Sequence, residues 1–233
     1  MERKFIITID GPCGSGKTTA AKTVAEKLGA MYLDTGALYR TAAYALMSQG
    51  VDSDTDDVEK RDSIVRDVLE NRMEVSHESG KMRIRLDGTD ISDDLRTEAV
   101  SDGASRISVY PSVRDAVNAA ARKIAGRNAV VVEGRDTGTC LFPNADIKLY
   151  LTADLQIRAT RRMVHTPDEF KTIYDAVAAV ATRDGRDMTR DVAPLPTTYE
   201  ARRAGLEIVD NTAMDAAETA DFIVETARKT LDM

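Results

Sequence analysis

Apolar residues cluster in five short runs along the chain. Phe5–Ile9, Ala129–Glu133, Ile147–Leu151 and Leu206–Val209 are nearly continuous and rich in β-branched residues, and a shorter run covers Met31–Leu33. Runs without polar alternation are covered on both faces, as buried parallel strands are. Between them the spacing turns helical, over Ala20–Leu28, Leu38–Ser48, Val113–Ala125, Leu155–Val164 and Asp215–Leu231. Alternating strands and helices predict an α/β fold, a doubly wound parallel five-stranded sheet with helices on both faces. A ligand then sits at the carboxyl ends of the strands.

One segment breaks this rhythm. Met73-Glu74-Val75-Ser76 and Met82-Arg83-Ile84-Arg85-Leu86 alternate apolar and polar residues around Glu78-Ser79-Gly80-Lys81. That pattern predicts a β-hairpin, and so a small antiparallel β insert bounded roughly by Val51 and Ser108.

The chemistry begins at the end of the first run. Gly11-Pro12-Cys13-Gly14-Ser15-Gly16-Lys17-Thr18 has the form G-x-x-x-x-G-K-[ST], between a strand and a helix. In that context the glycines let successive N–H groups turn toward phosphate oxygens, and the helix adds its positive end. Lys17 supplies a full charge for the β- and γ-phosphates, and the Thr18 hydroxyl can reach a magnesium ion. The loop therefore predicts nucleoside triphosphate binding, with Thr19 continuing the same stretch.

A second constellation is rich in arginine. Arg158, Arg161 and Arg162 share a helical face, and Arg183, Arg186, Asp187 and Arg190 repeat the spacing. Thr166-Pro167-Asp168-Glu169 reads as the start of the second helix, with Thr166 as N-cap, Pro167 as first residue and Glu169 closing a capping box. Phosphoryl transfer needs cations on the moving group while water is excluded, so a helical pair carrying arginines predicts a lid. A third constellation lies at strand ends. Asp34-Thr35-Gly36-Ala37-Leu38-Tyr39-Arg40 and Glu133-Gly134-Arg135-Asp136-Thr137-Gly138-Thr139 each follow a strand and place polar side chains at the sheet's working edge. Glu133, at the end of its strand, is placed either to hold magnesium through water or to serve a structural role.

Composition narrows the picture. The 233 residues allow one α/β domain with insertions, and the net charge of −7 argues against nucleic acid or an anionic membrane as partner. Cys13 and Cys140 show no metal-like spacing and indicate a reducing compartment. His77 and His165 are too far apart in sequence to support a histidine metal site or a Ser–His triad. No apolar run is long enough to span a bilayer, and the first strand begins so early that no signal peptide is expected. The expected location is cytoplasmic.

Together the phosphate loop, the Asp-Thr-Gly-Ala-Leu-Tyr-Arg stretch, the Gly-Arg-Asp-x-Gly-Thr stretch and the Arg-Asp-x-Arg-Asp run before Ala193-Pro194-Leu195 resemble bacterial cytidylate kinases. The resemblance follows the family's order over nearly the whole chain. It implies a P-loop kinase whose CORE covers 1–50 and 108–233, with an NMP-binding region at about 51–107 and a LID at about 158–190. It implies transfer of the γ-phosphoryl group of ATP to CMP or dCMP with Mg2+, by a monomer.

By the same resemblance, Gly11 to Thr19 bind ATP, and Thr35, Arg40 and Arg135 lie near the monophosphate. Ser105, Arg114 and Asp136 read cytosine. Arg183, Asp187 and Arg190 serve the ribose and the transferred phosphate, and Arg158 and Arg162 are lid arginines. Lys17, Arg158, Arg162, Arg183 and Arg190 form the implied catalytic set. Thr35 stands where the family commonly has serine, and Thr137 where it has an aliphatic residue. The alternatives are another P-loop small-molecule kinase, of a different nucleoside monophosphate or of the shikimate type, and a nucleotide-dependent switch. A GTPase switch would carry an Asn-Lys-x-Asp stretch, which the chain lacks.

Overall fold

The computed structural model describes residues 4–78, 81–126, 128–166 and 169–233. It contains a five-stranded sheet in the order β2-β6-β1-β7-β8. The strands are β1 (Ile6–Asp10), β2 (Met31–Asp34), β6 (Val130–Glu133), β7 (Ile147–Thr152) and β8 (Glu207–Asp210). β1 pairs in parallel with β6 and β7, and β7 with β8. All five apolar runs are therefore strands, shifted from the expected limits by a residue or so. Ile7, Ile9, Leu149 and Leu151 are fully buried, as expected of interior parallel strands.

The chain divides into two compact units, Met1–Met31 with Ala129–Met233, and Tyr32–Asn128. In the first, α1 (Lys17–Lys27) packs on α9 (Ala216–Thr230) and β6. α9 starts at a capping box in which Asp215 accepts from the Glu218 N–H and Glu218 accepts from the Asp215 N–H. α6 (Leu155–His165) and α7 (Ile173–Thr189) form a hairpin whose apolar seam, Ala159, Ala176 and Val180, closes over Cys13. A short α8 (Thr198–Arg203) precedes β8.

The start of α7 corrects the sequence reading. Thr166 does not cap it; Thr172 does, in a reciprocal box with Asp175, and the helix begins at Ile173. Pro167, the expected first residue, and Asp168 lie outside the described residues. Thr166 and Glu169 still bond each other, but Glu169 spends the same carboxylate oxygen on Arg162. Two T-x-x-acid sequences competed for one helix start, and the one adjoining the apolar seam carries it.

In the second unit, α2 (Thr35–Ser48) packs on α4 (Glu98–Ile107), where Gly103 leaves room: a Cβ there would lie 3.0 Å from Ser53 Oγ and 3.3 Å from Ala43 Cβ. Leu38 and Leu46 are fully buried, each contributing about 2 kcal/mol of apolar burial. α3 (Val58–Asp67) runs into a wide helical turn over Val68–Arg72, and α5 (Pro111–Ala125) carries proline at its first position. The insert is a three-stranded antiparallel sheet of β3 (Met73–Glu78), β4 (Lys81–Leu86) and β5 (Thr89–Asp90). Its expected turn residues Ser79 and Gly80 lie outside the described residues.

Candidate active site

The phosphate loop is shaped by close backbone approach. Gly11, Gly14 and Gly16 have φ of 147°, 74° and 88°. A Cβ on Gly11 would lie 2.0 Å from the Leu151 carbonyl oxygen, and one on Gly14 2.5 Å from that of Arg158. Only glycine fits either position. α1 then begins at Lys17 with no side-chain cap and no acid in its first turn, so its N-terminal N–H groups face outward for an anion.

Side chains from three directions hold the loop. Asp184 on α7 accepts the Cys13 N–H at 2.8 Å. Arg158 on α6 donates to the Cys13 carbonyl at 2.8 Å, to Ala153 O at 2.9 Å and to the Asp184 carboxylate at 2.5 Å. Asn211, just past β8, donates to Ser15 O at 3.0 Å and is itself fixed by Arg161, which bonds Asn211 Oδ1 and O and Met214 O. Two of the three arginines expected on one lid face thus grip backbone carbonyls. Neither Asp184 nor Asn211 was singled out from sequence.

Lys17 is buried and donates to Pro12 O at 2.6 Å and Ser15 Oγ at 3.4 Å. Burial, reinforced by the Arg135 charge, pushes its ammonium down to about 7. Arg135, Arg162 and Arg183 form the rest of a cationic cluster. Arg135 donates to Asp187 Oδ2 at 2.7 Å; burial opposes its charge, but Asp187 more than offsets this and holds the guanidinium above its ordinary range. Asp187 in turn is held below the usual carboxylate range, its own burial outweighed by Arg135. Arg162 pairs with Glu169 at 2.6 Å and lies 3.8 Å from the Cys13 sulfur.

Arg183 differs from these. Among the described residues it makes no hydrogen bond or ion pair, and burial together with repulsion from Arg135 lowers its pKa. Arg190, just past α7, pairs with Asp136 at 3.0 Å and donates to Ala193 O at 2.7 Å. Lys17 and Arg183, which make no ion pair among the described residues, stand beside the paired Arg135 and Arg162, an arrangement that suits a polyphosphate.

Two carboxylates stand at strand ends beside the loop. Glu133 ends β6, and its Oε2 accepts the Thr18 hydroxyl at 2.9 Å. A hydroxyl and a carboxylate are hard oxygen ligands, the set magnesium takes when phosphates complete its shell. Among the described residues no cluster of three or more His, Cys, Asp or Glu could hold a metal ion. Asp10 ends β1, fully buried, and accepts from the Thr137 N–H, the Thr137 hydroxyl and the Gly138 N–H. Burial pushes its carboxyl up to about 6 against the pull of those three bonds.

The second unit assembles its own group. Asp34 caps α2 by accepting the Ala37 N–H and pairs with Arg40 at 2.7 Å, while Thr35 is buried at the first helical position. Arg114, on α5 and buried, lies 5.7 Å from the Tyr39 ring centroid and donates to Ser108 O. Ser108 Oγ donates in turn to the Ser105 carbonyl, so Ser108 links the Ser105 backbone to Arg114.

A phosphate loop with an inward lysine, a threonine–carboxylate pair and a clustered set of arginines defines a P-loop phosphotransferase. Two solved structures share the fold: one from Thermus thermophilus, TM-score 0.54 at 19% identity over 99% of both chains, and an uncharacterized protein from Eubacterium ventriosum, TM-score 0.52 at 13% identity over 96% of this chain and 98% of that one. The family model for cytidylate kinase matches residues 7–229, and the chain belongs to that family. Its relatives include the cytidylate kinases of Solibacter usitatus, 38% identical over 97% of this chain and 94% of theirs, and Neisseria gonorrhoeae, 39% identical over 98% and 100%. That of Bacillus subtilis is 36% identical over 97% of each chain.

Proposed function

We infer that this chain transfers the γ-phosphoryl group of ATP to CMP and dCMP, giving CDP or dCDP and ADP. Beyond family membership, the observation that carries this reading is the cluster of Lys17, Arg135, Arg162 and Arg183 beside a preformed phosphate loop. An α-phosphate oxygen of the acceptor attacks the γ-phosphorus in line. That oxygen is already anionic, so no strong general base is required, and catalysis consists of positioning and charge neutralisation.

In this reading Gly11 to Thr19 hold ATP, and Lys17 bridges its β- and γ-phosphates. Arg162, Arg183 and Arg190 neutralise the moving group, while Arg158 acts through the loop it grips. Thr35, Arg40 and Arg135 hold the acceptor phosphate, and Asp187 meets the ribose beside Arg183. Asp136, oriented by Arg190, accepts from cytosine N4, Arg114 donates to O2 and N3, and Ser105 completes the base contacts. Uracil presents an acceptor where cytosine has its amine, so a carboxylate facing O4 rejects UMP. Thr18 and Glu133 would hold Mg2+. When bound there, Mg2+ would supply charge screening to the triphosphate. The CORE, NMP-binding and LID regions given above carry these roles.

We place the enzyme in the cytoplasm as a monomer. The free thiols of Cys13 and Cys140 support a reducing compartment, and the monomeric state rests on the family resemblance alone. No described helix is long and apolar enough to cross a membrane. A coupled ADP-release assay with magnesium-ATP and CMP, dCMP, UMP, AMP or shikimate tests the activity. Turnover with CMP and dCMP, weak with UMP and absent otherwise, is expected. Activity centred on another acceptor overturns the roles given to Ser105, Arg114 and Asp136.

A further inference from the structure

Thr137, directly after Arg135 and Asp136, bonds a buried carboxylate at the root of the phosphate loop. Thr137 is buried, and its hydroxyl donates to Asp10 Oδ1 at 2.7 Å beside its own N–H at 2.9 Å, while the Gly138 N–H reaches Oδ2 at 2.7 Å. Gly138 can approach because it lacks a side chain: a Cβ there would lie 2.7 Å from Thr8 Oγ1 and 3.4 Å from Asp10 Oδ2. Downstream, the chain makes a wide turn over Thr137–Leu141, in which Cys140 N–H bonds Asp136 O at 2.8 Å and Phe142 N–H bonds Thr137 O at 2.7 Å. Asp10 immediately precedes Gly11, and Thr137 immediately follows Arg135 and Asp136. One buried carboxylate therefore ties the root of the phosphate loop to the root of the loop carrying Arg135 and Asp136. An aliphatic residue at 137 would keep the two N–H bonds and lose the third.

We propose that Thr137 is a positioning residue for the acceptor nucleotide, its hydroxyl locking the Arg135–Asp136 loop onto Asp10. The proposal rests on the reading of Arg135 and Asp136 as acceptor-binding residues, and the test separates the two. A hydrogen bond to a charged group is stronger than a neutral one, and a loop held less firmly binds its ligand more weakly.

The experiment measures KM for CMP, KM for ATP and kcat in T137V, T137A, T137S and R135K, with thermal midpoints alongside. T137V keeps the volume and removes the hydroxyl, whereas T137S keeps the hydroxyl and removes the methyl. The expected result is a KM for CMP raised about five- to tenfold in T137V and T137A, KM for ATP nearly unchanged, and T137S within about twofold of the parent. T137A carries the same test should T137V fold poorly. Normal KM for CMP in both hydroxyl-free variants overturns the proposal. So does a defect in T137S without one in T137V, which would assign Thr137 to packing alone. If R135K leaves KM for CMP unchanged, the reading of Arg135 fails instead, whatever the Thr137 variants do.

Discussion

Among the charged side chains at the site, Lys17 is tuned most strongly by what surrounds it. Its folded pKa, near 7, lies far below the ordinary 10.5 because burial and Arg135 disfavour the charge. The sign follows: the folded state binds this proton more weakly than the unfolded chain. The resulting penalty is fully present below about pH 7 and is relieved as pH rises toward 10.5. Triphosphate oxygens reverse the balance, so ATP binding between about pH 7 and 8 should take up protons. Calorimetry in buffers of different ionisation enthalpy measures that uptake, and K17M should abolish it. K17M should also lower kcat by about 100-fold or more while raising the thermal midpoint of the free protein. At Asp136 the expectation concerns choice of base. D136N offers an amide where the carboxylate stood, so the preference for CMP over UMP should fall about tenfold or more, read as the ratio of kcat/KM values.

At the scale of elements, α6 and α7 carry arginines that look alike in sequence and differ in duty. Arg158 shares a buried pair with Asp184 and also holds the Cys13 carbonyl. R158A leaves Asp184 uncompensated, and it should cost about 3 kcal/mol of stability together with activity, as chemical denaturation and turnover would show. R183A removes a cation that makes no hydrogen bond or ion pair among the described residues and whose charge is disfavoured by burial and by Arg135. It should lower kcat with stability unchanged or slightly raised. Local rules made the phosphate loop, its strand and its helix legible, because every constraint there acts within a few residues. The buried strands and the hairpin were legible for the same reason. The clamps were not: Asp184 meets Cys13 across 171 residues, Asn211 meets Ser15 across 196, and Asp10 meets Thr137 across 127. α3, α4 and α8 were missed because they are short and polar, or, in α4, interrupted by Gly103. The i, i+3, i+4 spacing of Arg158, Arg161 and Arg162 indicated a shared helical face, but not that two would turn to carbonyls.

For the molecule as a whole, a net charge of −7 coexists with a concentrated cationic site, so the site and not the surface at large attracts phosphates. Because that site exists only when the chain is folded, ATP at about 100 times its dissociation constant should add about 2.7 kcal/mol of stability, seen in thermal melts and lost in K17M. α7 has a wider consequence. It grips the phosphate loop through Asp184 and, one turn further on, holds Arg135 through Asp187. On the proposed roles of the phosphate loop and Arg135, donor and acceptor nucleotides would both lean on this one helix, and an adjustment imposed by either would meet the other. Thermodynamic reciprocity then requires that the factor by which CMP changes ATP affinity equal the factor by which ATP changes CMP affinity. D184N, which loosens one end of the helix, should shrink both factors together.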